Sequence, residues 1–325
     1  MFKNKLKAKD VMQKLLTQLI MFVILAIVPV LTNNIYILHI IILSNIHAVF
    51  ASSWDLISGY TGQVSLGHSL FFGGGAYLAA FLTMWYDIPQ HITLIIAGIT
   101  MAALSLVVGV PCLRLSGPYL AIATLAFSEA VRSIVLAFPH VTRGDEGMPL
   151  RALAFGVTPN YYISLLLMFI LVNIMHFIAN YYFRIPFIAI RENEVAAKAS
   201  GINVTKYRLL SFVLSAFFSG VIGSFYAYYM MAITPEGLSI DTSLMPLTMS
   251  IVGGMGTIFG PVLGAYILTF LTELLRVFIY RIRILIYALL TVIFIVALPG
   301  GLFKTLQDLV KTLEKSIFKG SSSQH

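Results

Sequence analysis

Three stretches of the chain carry residues whose types and spacing suit chemistry or recognition. The first runs Ser58-Gly59-Tyr60-Thr61-Gly62-Gln63-Val64-Ser65-Leu66-Gly67-His68 and leads into Gly73-Gly74-Gly75. An amide, several hydroxyls and an imidazole lie here among glycines, and an apolar run follows at once. That composition suits non-helical backbone at membrane depth, which is tolerated only when buried in protein or lining a cavity. The alternative is close glycine-mediated helix packing, with Gln63 and Ser65 hydrogen-bonding between helices. Residue chemistry alone leaves both readings open. The second stretch is Arg191-Glu192-Asn193-Glu194-Val195-Ala196-Ala197-Lys198-Ala199-Ser200. It is expected to form one short helix, with Glu194 and Lys198 in the favourable i, i+4 order and Gly201 closing it in the left-handed conformation. A helix with small side chains such as Ala197 on one side lets another protein approach closely; a solvated loop with a helical turn is the other reading. The third is Glu129 with Arg132, on one helical face inside an apolar span. Ionisable groups at such depth face a cavity or one another, so the pair is either a substrate contact or a structural ion pair. Glu273 and Arg276 repeat the spacing near a span end, where snorkelling to the interface accounts for them.

The elements that position these residues follow from composition. Hydrophobic residues make up 59% of the chain and charged residues 10%, whereas soluble domains have roughly a quarter of their residues charged. The apolar residues fall in blocks of about 20, enough to cross a hydrocarbon core of about 30 Å as helix. The period-2 alternation of a membrane β-barrel is absent. The expected fold class is therefore an all-α integral membrane protein, one transmembrane domain over residues 1–325 with no soluble domain or tandem repeat. Apolar segments lie near 16–31, 34–52, 67–86, 92–113, 117–138, 160–183, 207–231, 242–276 and 284–298. The segment 242–276 is too long for one untilted crossing and holds Gly253, Gly254, Gly256, Gly260, Pro261 and Gly264. A break there makes about ten crossings, some of them short or broken.

Charge placement orients the chain. Lys3, Lys5, Lys7, Lys9 and Lys14 precede the first block, and Lys304, Lys311, Lys315 and Lys319 follow the last. Flanking basic residues mark the cytoplasmic side, so both termini (1–15 and 300–325) and the polar segment 184–206 are expected inside, and 139–159 outside. Arg276, Arg281 and Arg283 then flank an external loop, against that trend. The formal net charge of +8 is a topology signal and implies no nucleic acid partner. The run Leu15–Leu31 reads as a retained first helix, since no small-residue cleavage site follows it. Leu302, Leu306, Leu309, Val310 and Leu313 have the spacing of an amphipathic surface helix. Enzymatic signals are negative: there is no G-x-x-x-x-G-K-[ST] phosphate loop, no H-E-x-x-H and, with Cys112 alone, no paired cysteines. No catalytic residue, metal or cofactor is expected. If ATP drives this protein, another chain hydrolyses it.

The same stretches resemble the branched-chain amino-acid permeases of ABC importers, of the LivM type. The resembling pieces are Gly59 to His68 with Phe71-Phe72-Gly73-Gly74-Gly75-Ala76-Tyr77, Gly117-Pro118-Tyr119-Leu120-Ala121-Ile122-Ala123-Thr124-Leu125, and Ala189-Ile190-Arg191-Glu192-Asn193-Glu194-Val195-Ala196-Ala197. Gly253-Gly254-Met255-Gly256-Thr257-Ile258-Phe259-Gly260-Pro261 and Pro299-Gly300-Gly301-Leu302 complete the set. The pieces occur in family order over most of residues 50–303. The resemblance implies a type II importer permease fold, like that of the vitamin B12 importer, in a prokaryotic plasma membrane. It implies as partners a second homologous permease, two ABC ATPase subunits, an extracytoplasmic substrate-binding protein and membrane lipid. It implies that Arg191, Glu192, Asn193, Glu194, Ala197 and Gly201 belong to a coupling helix docking on the ATPase. Gly59, Tyr60, Thr61, Gly62, Gln63, Ser65, Gly67 and His68, with Glu129 from its residue chemistry, are then the residues expected to border the translocation pathway. Related permeases carry urea and short amides, which stand as alternative substrates. An ion-gradient-driven secondary transporter is the alternative from another class, since broken glycine-rich helices and a buried carboxylate occur there too. One departure is local: relatives show T-G-G-x-x-G-[LI] where this chain has Thr142-Arg143-Gly144-Asp145-Glu146-Gly147-Met148, with Arg143 in place of a glycine.

Overall fold

The computed structural model describes residues 22–32, 34–115, 117–278, 289, 292 and 300–305. The basic N-terminal residues, the apolar segment 284–298, Arg281, Arg283 and the tail helix expected beyond 305 lie outside the described residues.

Backbone amides without water partners must close their hydrogen bonds within a segment, and the apolar blocks do so as helices. They are α1 (Phe22–Leu31), α2 (Ile35–Thr61), α3 (Ser69–Tyr86), α4 (Gln90–Cys112), α5 (Pro118–Ala137), the short α6 (Pro139–Thr142), α7 (Val157–Phe177), α8 (Arg184–Glu192), α9 (Glu194–Ala199), α10 (Val204–Met230), α11 (Ile240–Gly253) and α12 (Phe259–Phe278). Among the described residues α2, α4, α5, α7 with its extension to Tyr182, and α10 are long and apolar enough to cross a membrane. The chain is a multi-pass membrane protein built from helices. The one sheet among the described residues is a two-residue ladder pairing Met148 with Ile233 and Pro149 with Ala232.

Helix α2 occupies the centre. Every residue from Ala48 to Thr61 is buried, because α7, α10, α11 and α12 surround it. Lipid tails are as apolar as leucine, so apolar burial drives helix association weakly in a bilayer and small residues with interhelical hydrogen bonds take its place. That is what α2 uses. Ser52 Oγ donates to Ile258 O at 3.0 Å, Asn45 Nδ2 donates to Ser164 Oγ at 3.0 Å, and Ser53 O accepts from Ser215 Oγ. Tyr36 Oη donates to Glu273 O at one end of α12 while Ser52 bonds the residue before its other end, so α2 and α12 run antiparallel.

The break expected within 242–276 is present at residues 254–258, between α11 and α12. It turns through left-handed backbone at Gly254 (φ 116°), Gly256 (φ 76°) and Ile258 (φ 57°). The chain folds back so tightly that a Cβ on Gly253 would lie 1.8 Å from Gly260 O.

The variant loop is also explained. Arg143 sits at φ 60°, ψ 13°, left-handed backbone that glycine adopts freely and that costs other residues about 1–2 kcal/mol. The loop retains the geometry of a glycine and holds an arginine in it. Arg143→Gly is expected to raise stability by up to about 1 kcal/mol, after the entropy of the freer unfolded chain is deducted. The midpoint of thermal unfolding in detergent is the check, and an unchanged or lower midpoint counts against strain at this position.

Candidate functional site: a re-entrant segment, a backbone nest and a surface helix pair

Residues 62–68 are not helical. Gly62 closes α2 at φ 72°, and the chain then runs back along α2 in extended form until α3 begins. Extended backbone sends successive side chains to opposite sides, and burial alternates accordingly: Gln63 and Ser65 are buried while Val64 is 44% exposed. The contacts follow the reversal. Ser58 Oγ donates to Gln63 O, Trp54 Nε1 donates to Ser65 O, both at 2.8 Å, and His68 Nε2 lies 3.1 Å from Ser53 Oγ. On the far side Leu66 N donates to Thr124 Oγ1 of α5 at 3.1 Å, and a Cβ on Gly67 would fall 2.0 Å from Thr124 O. Both sequence readings of this stretch hold in part, since the backbone is non-helical and the glycines permit close approach. The side-chain amide of Gln63 and the hydroxyl of Ser65 are buried without a hydrogen-bond partner among the described residues. Each such group costs about 1–3 kcal/mol. Tyr60 and Thr61 are satisfied at the end of α2, by Asn180 Nδ2 at 3.0 Å and by Ile57 O at 2.7 Å.

Asp55, the one carboxylate of α2, is the candidate residue that sequence reasoning passes over. Its side chain is fully buried. Oδ1 accepts from Gly256 N at 2.8 Å, and Oδ2 accepts from Gly256 N, Thr257 N and Ile258 N at 3.0, 3.2 and 3.3 Å. Successive backbone N–H groups in a left-handed turn form a concave anion site, here filled by a carboxylate from across the bundle. The signal was available: a lone acid in a long apolar helix must find donors, and a glycine-rich break supplies them.

The segment expected as one helix from Arg191 is two. Asn193 adopts extended backbone (φ −159°, ψ 108°) and its side chain accepts from Ala196 N, so it ends α8 and caps α9. Asn is a strong N-cap for this reason. Glu194 and Lys198 pair at 2.8 Å, and Glu194 also reaches Arg208 of α10 at 2.6 Å. Gly201 is left-handed at φ 83°, as expected. Ala197 is not on the outer side. It is buried with Ile190 and Val204, and Val195, 76% exposed, faces outward instead. Arg191 turns inward: Nη1 donates to Gly59 O at 2.8 Å, while Nη2 pairs with Glu192 at 3.0 Å. Lys198 first and then Arg208 hold the Glu194 carboxyl below its ordinary range. A depressed carboxyl contributes stability above its unfolded value, near pH 4.3, and loses it as pH falls through the folded value. The attachment of α9 to α10 is therefore expected to weaken below about pH 4, seen as faster amide exchange in α9.

Glu129 and Arg132 pair with each other at 3.4 Å on α5, with side chains 39% and 35% exposed. The structure does not bring Glu129 to the polar groups of residues 59–68; Thr124, on the same helix, touches them instead. A cavity of about 330 Å³ lies elsewhere, walled by Phe50, Phe72, Met230 and Met245 with His47, Tyr226, Glu236 and Thr242 among its polar groups. Phe50 separates it from His68, against which it stacks at 5.5 Å. Among the described residues no cluster of three metal-ligating side chains occurs.

The family described as branched-chain amino acid transport system / permease component matches residues 36–298. The high-affinity branched-chain amino acid transport system permease protein LivM of Escherichia coli (strain K12) is 29% identical over 311 residues, 86% of this chain and 73% of that protein. Its counterpart in Salmonella typhimurium is 30% identical over 263 residues, 72% and 62% of the two chains. A probable LivM of Methanocaldococcus jannaschii is 28% identical over 201 residues, 58% of each. No solved structure matches. With its glycine-rich break and re-entrant segment inside the matched range, the chain belongs to the branched-chain amino acid transport permease family.

Proposed function

We propose that this chain is one membrane-spanning half of an ATP-binding-cassette importer for branched-chain amino acids. It crosses the membrane about ten times in the type II arrangement, with both termini and α8–α9 in the cytoplasm. A second permease completes the pathway, two separate ATPase subunits dock on α8–α9, and an external binding protein delivers substrate. The family match across residues 36–298 carries the reading. The chemistry agrees with it: the chain has no phosphate loop of its own, and α8–α9 presents Val195, Glu192 and Lys198 outward on a small ion-paired platform.

Transport then proceeds by alternating access. ATP binding closes the ATPase pair and moves α8–α9, and the helices around the cavity re-pack. A ligand held equally in both states shifts nothing, so the permease is expected to bind substrate weakly. The cavity lies in the size range of small-molecule sites. Its phenylalanine and methionine wall suits an aliphatic side chain better than urea, and Glu236 supplies a carboxylate for an amino acid's ammonium. Gln63 and Ser65 are the groups that gain partners if the segment moves. In proteoliposomes holding the complete complex and ATP, labelled leucine uptake is expected to fall with excess isoleucine or valine and to ignore urea. Suppression by urea and not by isoleucine would move the substrate to short amides.

A further inference from the structure

Four segments far apart in sequence meet at one point beside the end of α2. Asp55 holds the N–H groups of Gly256, Thr257 and Ile258, so the α11–α12 break is fastened to α2. One turn further along α2, the carbonyl of Gly59 accepts from Arg191 Nη1 at 2.8 Å. The last carbonyls of a helix lack intrahelical partners and carry its negative dipole end, so a guanidinium there satisfies both. Gly256 lies between these two bonds. A Cβ on it would come within 2.6 Å of Arg191 Nη1 and 3.0 Å of Gly59 O. The other flank of the break is covered by residues 300–301, where a Cβ on Gly301 would lie 2.3 Å from Gly254 Cα.

The point is held tightly and under strain. Ile258 is β-branched at φ 57°, a conformation that persists only where the surroundings over-determine it. Here its N–H is bound by Asp55 and its carbonyl by Ser52 Oγ. Two of the helices that leave this point supply part of the cavity wall: α2 contributes His47 and Phe50, and α11 contributes Thr242 and Met245, beside residues of α3, α10 and 232–237.

We propose that Arg191, Gly59, Asp55 and the 256–258 backbone form the joint that carries motion of α8–α9 to α2 and to the α11–α12 break together. Arg191 and Asp55 are positioning residues: neither borders the cavity, and both act through the backbone they hold. A shift of α8 pulls the end of α2 directly through Arg191, and α2 takes the break with it through Asp55. The parts of the cavity wall on α2 and α11 therefore move as one lever against those on α3 and α10, which rests on the coupling role proposed above for α8–α9.

The test uses the complete complex in proteoliposomes and reads leucine delivered per ATP hydrolysed. Loss of folded complex lowers transport and hydrolysis together and leaves this ratio alone. Arg191→Gln and Asp55→Asn are each expected to lower the ratio about tenfold, the factor for one charge-assisted hydrogen bond. Arg191→Lys, which keeps a charged donor on a longer stem than glutamine's for Gly59 O, is expected to recover most of it. The double variant is expected to be no worse than the poorer single, because both act through one joint. A normal ratio in Arg191→Gln, or a double loss near the product of the singles, overturns the proposal. If Asp55→Asn fails to assemble, the Arg191→Gln and Arg191→Lys pair decides alone, since that side chain is 39% exposed. A wild-type complex with no ATP-dependent uptake overturns instead the importer reading itself.

Discussion

Glu194→Arg is expected to reduce ATP-driven uptake by about tenfold or more while the chain still reaches the membrane in normal amount. Glu194 is the hub of the α8–α9 surface, pairing with Lys198 of α9 at 2.8 Å and with Arg208 of α10 at 2.6 Å. The substitution removes both pairs and places three cations together, so repulsion replaces attraction at the start of α10. An ordinary exposed pair is worth about 0.2–1 kcal/mol and its loss would be slight. This one differs, since Arg208 is only 16% exposed, and stranding one member of a half-buried pair costs more than the pair contributes. Membrane insertion is driven by the apolar length of the spans, which the substitution leaves unchanged, so insertion is expected to persist. The measurement is uptake normalised to membrane-embedded protein, with Glu194→Gln as the milder control. Unchanged uptake in Glu194→Arg sinks the assignment of α8–α9 as the coupling element.

Gly67→Ala is expected to destabilise the protein by about 3 kcal/mol, at the upper end of overpacking effects. The added methyl would lie 2.0 Å from the carbonyl oxygen of Thr124 and 2.5 Å from its carbon. Both atoms are backbone, so relief requires α5 and the re-entrant segment to separate. That separation also breaks the bond from Leu66 N to Thr124 Oγ1. Gly74→Ala provides the contrast: its methyl would meet Met101 Sδ at 2.9 Å, and a flexible thioether can swing aside. Thermal unfolding in detergent should separate the two variants clearly. Equal midpoints would mean that the 62–68 segment yields to α5, and that the close contact does not hold it.

The helical class and the main breaks were legible in the sequence because bilayer physics leaves few options for apolar blocks of this length. The interruption at 254–258 showed itself through its glycines, and the reversal at 62–68 through polar residues set among glycines. The ends of elements were less legible. The apolar run ending near residue 52 continues as helix to Thr61, because Ser52, Ser53, Asp55 and Ser58 are polar side chains paired inside the bundle. Asn193 falls inside the helix expected from residue 191, yet its side chain competes for backbone N–H groups and divides that helix into two. Asp55 was missed since its partners lie about 200 residues away and are main-chain atoms, which no side-chain pattern reveals. Glu129 reads as a buried acid only when an apolar span is equated with a buried one; in the structure its side chain is 39% exposed and paired with Arg132.

The measurement that bears most directly on the proposed function is the energy source of transport. The chain is reconstituted with its partner permease, ATPase subunits and binding protein, and labelled leucine uptake is followed with ATP supplied or withheld. Uptake that requires ATP and survives an ionophore is the predicted result. Uptake under an imposed ion gradient by this chain alone, with no response to ATP when all partners are assembled and active, would contradict it.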